Sequence, residues 1–228
     1  MDEKKIVRDY FNAIGFERWR RIYGNDTVSW VQQDIRLGHA QTVDTVLQWL
    51  GDVKGISICD AGCGVGSLSI PLAAKGGQVW ATDISEQMIA EAQRRQQETL
   101  GQTQNPQFAV SDLETIQGQF NTVVCLDVMI HYPESDALRM VKSLTERAEK
   151  RLIFSFAPNT PLLSLLKKVG SFFPGSSKAT RAYLHREALL VDHLDQLGWK
   201  VQQKTQIQTR FYFACLLDAV LLGNESVS

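Results

Sequence analysis

The residues best suited to chemistry form one short run, Asp60-Ala61-Gly62-Cys63-Gly64-Val65-Gly66. Glycine at alternate positions lets the backbone turn sharply and pass close to a ligand at the start of a helix. Asp60, two residues ahead of the first glycine, stands where a strand would end and can accept from an ammonium group. Asp83 follows Gly66 by seventeen residues, at the end of the next strand, and can bind both hydroxyls of a ribose. Asp112 ends a third strand, where it can meet the amino group of an adenine. Ile84, Met88, Leu113 and Asp127 complete this candidate ligand-contacting set. Singly, each has an ordinary reading: a glycine triplet as a tight turn, an aspartate as a helix cap. Together, acids at three successive strand ends point into one crevice, at the switch point of an open sheet. The dinucleotide fingerprint G-x-G-x-x-G serves an anionic pyrophosphate. Such an anion gains nothing from Asp60, so the spacing here favours a nucleoside that carries a cationic group.

The elements around these residues set the architecture. Ile6, Val7, Tyr10, Phe11 and Ile14 repeat at helical spacing with Gly15 as the stop, and a short helix follows through Trp19 and Tyr23 to Gly24. A third helix is predicted from about Ile35 to Gly51. From Ile56 onward strands alternate with helices, with strands at 56–59, 79–82, 108–110, 122–126 and 151–156. Pro71 falls in the first turn of one helix, Ser85 caps the next, and Pro133 precedes a third. A helix at 187–197, a strand at 199–201 and a closing strand at 210–213 read as an antiparallel addition at the sheet edge. The pattern predicts an α/β fold, a seven-stranded, mostly parallel sheet covered by helices on both faces. Residues 1–50 are expected to form a helical lid and 51–228 the core, with 157–186 as an insertion after the fifth strand.

Bulk properties narrow the function classes. At 228 residues and 44% hydrophobic, the chain can bury one sizeable core. A formal net charge of −1 argues against a general nucleic-acid binder. The cysteines (59, 63, 125 and 215) form no CxxC pair, and no His/Cys/Asp cluster has metal-ligand spacing, so no resident metal is expected. The charged start Met1-Asp2-Glu3-Lys4-Lys5 is unlike a signal peptide, and no apolar run suits a spanning helix. The expected setting is cytoplasmic.

The glycine spacing with its preceding acid resembles motif I of class I methyltransferases, whose cofactor is S-adenosylmethionine, released as S-adenosylhomocysteine. Other stretches are more specific. Tyr10-Phe11-Asn12, Gly15-Phe16, Arg18 to Gly24, Asp34-Ile35-Arg36 and Gly38-His39 resemble the N-terminal region of the magnesium protoporphyrin IX methyltransferases. So do Asp60 to Pro71, Asp127 to Pro133, and Arg210-Phe211-Tyr212-Phe213 with Leu216-Leu217. The resemblance covers nearly the whole chain. It implies a Rossmann-like enzyme of chlorophyll biosynthesis that esterifies one propionate of magnesium protoporphyrin IX. It also implies delivery of that substrate by the large subunit of magnesium chelatase and peripheral association with photosynthetic membranes.

Three further residues follow. His131, just past the fourth strand, is the first candidate to orient the propionate; packing beneath the next helix is the alternative. Tyr23, raised above its aromatic neighbours by the resemblance, is the second; its alternative is the apolar face of a docked helix. Arg36 is a candidate for the cofactor's carboxylate, or an ordinary surface arginine. His185 and His193 are expected at the surface. Residues 157–186 combine Lys167, Lys168, Lys178, Arg181 and Arg186 with leucines and phenylalanines and contain no acid. That mixture suits a flat, greasy dianion, an amphipathic helix on the sheet, or an anionic membrane surface. Rival functions are methylation of another small molecule such as a quinone-pathway phenol, nicotinamide-dependent oxidoreduction, and a cofactor-sensing module.

Overall fold

The computed structural model describes residues 3–24, 26–161 and 182–223. The strands are β1 (Ser57–Ala61), β2 (Gln78–Asp83), β3 (Gln107–Val110), β4 (Phe120–Cys125), β5 (Ala148–Phe156), β6 (Trp199–Gln208) and β7 (Phe213–Leu221), of which β6 alternates between half-buried and exposed residues beyond Trp199. They make one sheet in the order β3-β2-β1-β4-β5-β7-β6. β1 to β5 run parallel, and β7 is antiparallel to both its neighbours. The helices are α1 (Glu3–Phe11), α2 (Ile14–Ile22), α3 (Trp30–Leu50), α4 (Ser69–Ala74), α5 (Glu86–Leu100), α6 (Glu134–Thr145) and α7 (Glu187–Gln196). Because a strand's side chains alternate between faces, adjacent residues feed separate cores. Val123, Leu152 and Leu217 pack with Leu144 of α6 and Leu190 of α7. Val124, Ile153 and Leu216 pack with Val46 of α3, Leu72 of α4 and Ile89 of α5. The α/β architecture read from the sequence, a seven-stranded and mostly parallel sheet with helices on both faces, is the one observed, and every parallel strand presents its carboxyl end to the same edge.

Four local expectations are corrected. Gly15 does not stop a helix: α1 ends at Phe11 and Gly15 lies in the first turn of α2. An added Cβ there would come within 2.5 Å of the Tyr10 ring, so its missing side chain lets the two helices fold together. α3 starts at Trp30, well before Ile35, because Ser29 and Gln32 form a reciprocal capping box. The closing strand is β7; residues 210–212 belong to the turn that joins it to β6. His185 is fully buried, its Nε2–H donating to Met129 O at 2.9 Å. His193 is half-buried, with Nε2 bonded to Leu138 O at 3.1 Å. Of the insertion, the two ends are described and meet: Pro158 bridges to His185, whose amide donates to Ala157 O at 2.8 Å. Lys167, Lys168, Lys178, Arg181 and the residues expected to form its apolar surface lie outside the described residues.

Candidate active site

A cavity of about 790 Å³ opens above the carboxyl ends of the parallel strands. One half lies over β1, β2 and β3. Gly62 and Gly64, at φ 83° and 53°, carry the β1 turn along its wall. A Cβ on Gly62 would strike Val128 at 2.2 Å, whereas one on Gly64 would meet nothing within 4 Å. The Gly62 and Cys63 amides donate to Thr82 O at 2.7 and 2.9 Å, and Gly64 N donates to Asp83 Oδ2 at 2.9 Å. Asp83 therefore braces the turn and faces the cavity together. Burial pushes its carboxyl up to about 6, even though the amides of Ser85, Gly64 and Ile84 favour its charged form. Ile84, Met88, Asp112 and Leu113 continue this wall. Asp112 Oδ1 accepts from Glu114 N at 2.9 Å and the carboxylate pairs with Lys4 of α1, also at 2.9 Å. That ion pair draws the first helix across the end of β3.

Three expected ligand contacts are not on this wall. Asp60 is buried beneath the turn, where it accepts from the Ser69 hydroxyl of α4; burial lifts its carboxyl to about 6 despite that bond. Gly66 faces Ile70 and Phe108. Arg36 donates to the carbonyls of Ile22, Arg21 and Asp26 at 2.7, 2.7 and 2.8 Å, clamping the end of α2. Residue types alone could not show this, because backbone carbonyls carry no residue signature. The wall instead has Arg18, whose guanidinium lies 5.8 Å from the Trp19 ring centroid. Its Nε is buried without a hydrogen-bond partner among the described residues.

The middle of the cavity holds the two candidates for acceptor chemistry. His131 ends a short 3₁₀ turn after β4 and meets Phe11 edge-on, ring centroids 5.1 Å apart. Burial pushes its imidazole down to about 4, against the pull of Asp127's charge, so the ring is neutral at neutral pH. Tyr23 reaches in from the end of α2 and stacks on His39 at 4.0 Å and 28°. Burial, then the charge of Asp127, lifts its phenol well above the ordinary value, so it remains a protonated donor.

Asp127 organises this region. It has φ 57°, a left-handed conformation that aspartate tolerates better than most residues. Its carboxylate accepts from His39 Nδ1 at 2.8 Å, Tyr212 OH at 2.8 Å and Ser155 Oγ at 3.2 Å. Burial would raise its pKa, but the bonds and charge supplied by His39, with the bonds from Tyr212 and Ser155, hold it below the usual range. Sequence reasoning missed His39, Ser155 and Tyr212 as its partners. His39 lies 88 positions away and Tyr212 85, and only Gly38-His39 and Arg210 to Phe213 within the resembling stretches marked them. The other half of the cavity lies over β5 and β7 and is walled by Phe156, Ala157 and the β6–β7 turn, including Arg210 and Phe211. Among the described residues no group of three His, Cys, Asp or Glu could hold a metal ion.

The architecture thus offers a nucleoside-binding half, an apolar half, and neutral hydrogen-bond donors between them. Residues 125–221 match the family model for the magnesium-protoporphyrin IX methyltransferase C-terminus, and residues 58–150 match a general methyltransferase domain. The magnesium-protoporphyrin O-methyltransferase of Synechocystis is 52% identical over 223 residues, covering 96% of this chain and 97% of that protein. The chloroplastic magnesium protoporphyrin IX methyltransferase of Arabidopsis thaliana is 51% identical, over 96% of this chain and 71% of the relative. A crystal structure of the Synechocystis magnesium protoporphyrin IX methyltransferase with bound S-adenosylhomocysteine superposes with a TM-score of 0.90. It is 51% identical and covers 96% of this chain and 99% of that one.

Proposed function

The chain belongs to the family of magnesium protoporphyrin IX methyltransferases, and from that premise we propose that it methylates one propionate carboxylate of magnesium protoporphyrin IX, yielding the monomethyl ester of chlorophyll biosynthesis. The observation that carries the reading is the pair of protonated, uncharged donors, His131 and Tyr23, between a nucleoside-shaped half and an apolar half of one cavity.

S-adenosylmethionine supplies the methyl group as an electrophile on a sulfonium, and the wall residues fit that cofactor. Asp83 accepts from the ribose hydroxyls, Asp112 and Leu113 meet the adenine, and Ile84 and Met88 pack beside it. Gly62 and Gly64 let the backbone approach, and the unpaired Arg18 Nε is the donor for the carboxylate. Asp60 and Gly66 act one layer below, by holding the turn in shape.

A propionate is already ionised near neutral pH, since an unperturbed carboxyl titrates around ~4. No base is needed to make the nucleophile, and no proton has to leave when the new C–O bond forms. His131 and Tyr23 therefore serve orientation: each gives one hydrogen bond to the carboxylate and leaves the second oxygen free to attack. Holding a nucleophile in line contributes several kcal/mol, up to roughly 7–11 in ideal cases. The helices of residues 1–50 act as a lid over this site. A water-poor cavity favours the reaction, because an anion and a cation neutralise each other as the bond forms. No described helix is long and apolar enough to cross a membrane. Receipt of the porphyrin from the large subunit of magnesium chelatase, and peripheral contact with a photosynthetic membrane, complete the proposed setting.

The reading is tested by offering magnesium protoporphyrin IX and a quinone-pathway phenol together, with the donor's methyl group labelled. Label on the porphyrin, released by mild alkali as an ester would be, is the expected result. Label held on the phenol in an alkali-stable ether would overturn it.

A further inference from the structure

The described surface leaves a few large apolar side chains exposed, and two of them touch. Trp30, 61% exposed, and Phe211, 41% exposed, meet edge-on with ring centroids 5.0 Å apart. The Arg210 guanidinium carbon lies 5.9 Å from the Trp30 ring centroid. This ledge is continuous with the cavity, because Arg210 and Phe211 also line its wall. It is a built feature. Asp34, one turn along α3 from Trp30, accepts from Thr209 Oγ1 at 2.6 Å and from Phe211 N at 2.7 Å. The Thr209 bond is the chief reason that the Asp34 carboxyl stays below its usual range. The turn is thereby pinned to the helix, and Arg210 forms no ion pair within 4.0 Å among the described residues.

Position limits what this ledge can receive. It lies on the β6–β7 turn, across the cavity from the glycine turn and Asp83. A guanidinium presents forked donors matched to a carboxylate, and an exposed aromatic pair beside it suits a flat apolar ring. The substrate proposed above carries two propionates on adjacent pyrroles, and only one can reach His131 and Tyr23. We propose that Arg210 anchors the second, unreacting propionate, while Trp30 and Phe211 support the outer edge of the macrocycle. The inference rests on that functional reading. It gives Arg210 a role in specificity: the anchor decides which of two chemically similar carboxylates meets the methyl donor.

The test compares the wild type with Arg210→Gln and Arg210→Lys. The acceptors are magnesium protoporphyrin IX and its monoamide, in which one propionate is a neutral amide. With the diacid, Arg210→Gln should raise KM about tenfold to a hundredfold, the range for a lost charge-assisted hydrogen bond. Its kcat should change little, and its S-adenosylhomocysteine affinity by calorimetry should match wild type. The product, a single monoester isomer in the wild type, should become two isomers separable by chromatography. With the monoamide, wild type and Arg210→Gln should have equal KM, and Arg210→Lys should recover part of the affinity for the diacid. Unchanged KM and one isomer in Arg210→Gln would overturn the anchor. So would an equal loss on both porphyrins, which would mean that Arg210 supports the turn or holds the reacting carboxylate. A wild type that methylates no magnesium porphyrin sinks the functional reading and the anchor together; a wild type that does, beside an indifferent Arg210→Gln, sinks the anchor alone.

Discussion

Asp83 and His131 are both buried and both shifted, in directions that suit opposite tasks. Burial holds the Asp83 carboxyl at about 6, so it is ionised at neutral pH but protonates within the mildly acidic range. A ribose needs the ionised form, which accepts both hydroxyls. Affinity for S-adenosylhomocysteine should therefore be constant above about pH 7 and fall as pH drops through the Asp83 value. Asp83→Asn should bind more weakly and show a shallower acid-side decline by calorimetry across the range, the remainder coming from Asp60 beneath the turn, which titrates in the same window. His131 is shifted the other way, to about 4, so it stays uncharged wherever Asp83 is ionised. In the role proposed for it, a neutral His131 donates one hydrogen bond without placing a cation beside the incoming sulfonium. His131→Ala should lower kcat by about 10²-fold, the scale of a misplaced nucleophile, with S-adenosylhomocysteine affinity unchanged. Loss of cofactor affinity in step with kcat would move His131 from the acceptor to the donor half.

The elements that carry these residues were readable to different degrees. α3 and the β6–β7 hairpin meet where Gly38 faces Tyr212: an added Cβ would lie 2.4 Å from the Tyr212 ring. Tyr212 is buried and bonds both Asp127 and Thr42, so its ring cannot simply swing away. Gly38→Ala should destabilise the protein by about 1–3 kcal/mol through overpacking, a fall of several degrees in Tm for a chain of this size. Thermal unfolding measures it, and an unchanged Tm would show that the helix is free to shift. The central strands were legible because each is apolar on both faces and ends at a turn residue. β6 was legible only at its start, 199–201: its exposure alternates along its length, but Gln203 and Thr205 stand where core residues would have advertised the rest of the strand. β7 carries Asp218 in an otherwise apolar run, fully buried and paired with Arg151 at 2.7 Å, which hides its continuity. Asp60 shows a subtler limit. A strand's side chains alternate, so an acid near its end can enter the crevice or lie under the turn, and composition does not say which.

At the scale of the whole molecule, the cavity exists only because distant parts of the chain close on one sheet edge. Lys4 ties α1 to Asp112 and Glu114, and Asn12 accepts from Ser85 at the start of α5. Arg95 of α5 donates to Tyr23 O and Arg20 O at the end of α2. His39 and Tyr212 bring α3 and the hairpin turn to Asp127. Asp83, Ile84, Met88, Asp112 and Leu113 could be read as one wall because they follow one another after successive strands, whereas Arg18, which comes to it from α2, could not. The rest of the cavity was legible only in part: His131 and Tyr23 were picked out, but the contacts that bring His39 and Tyr212 to Asp127 span 88 and 85 positions, and the substrate was legible only through resemblance. The most direct test is the mass of magnesium protoporphyrin IX after incubation with the protein and S-adenosylmethionine. The expected result is a gain of one methyl group and no second, with one equivalent of S-adenosylhomocysteine formed. A porphyrin of unchanged mass, from protein shown by calorimetry to bind S-adenosylhomocysteine, would contradict it.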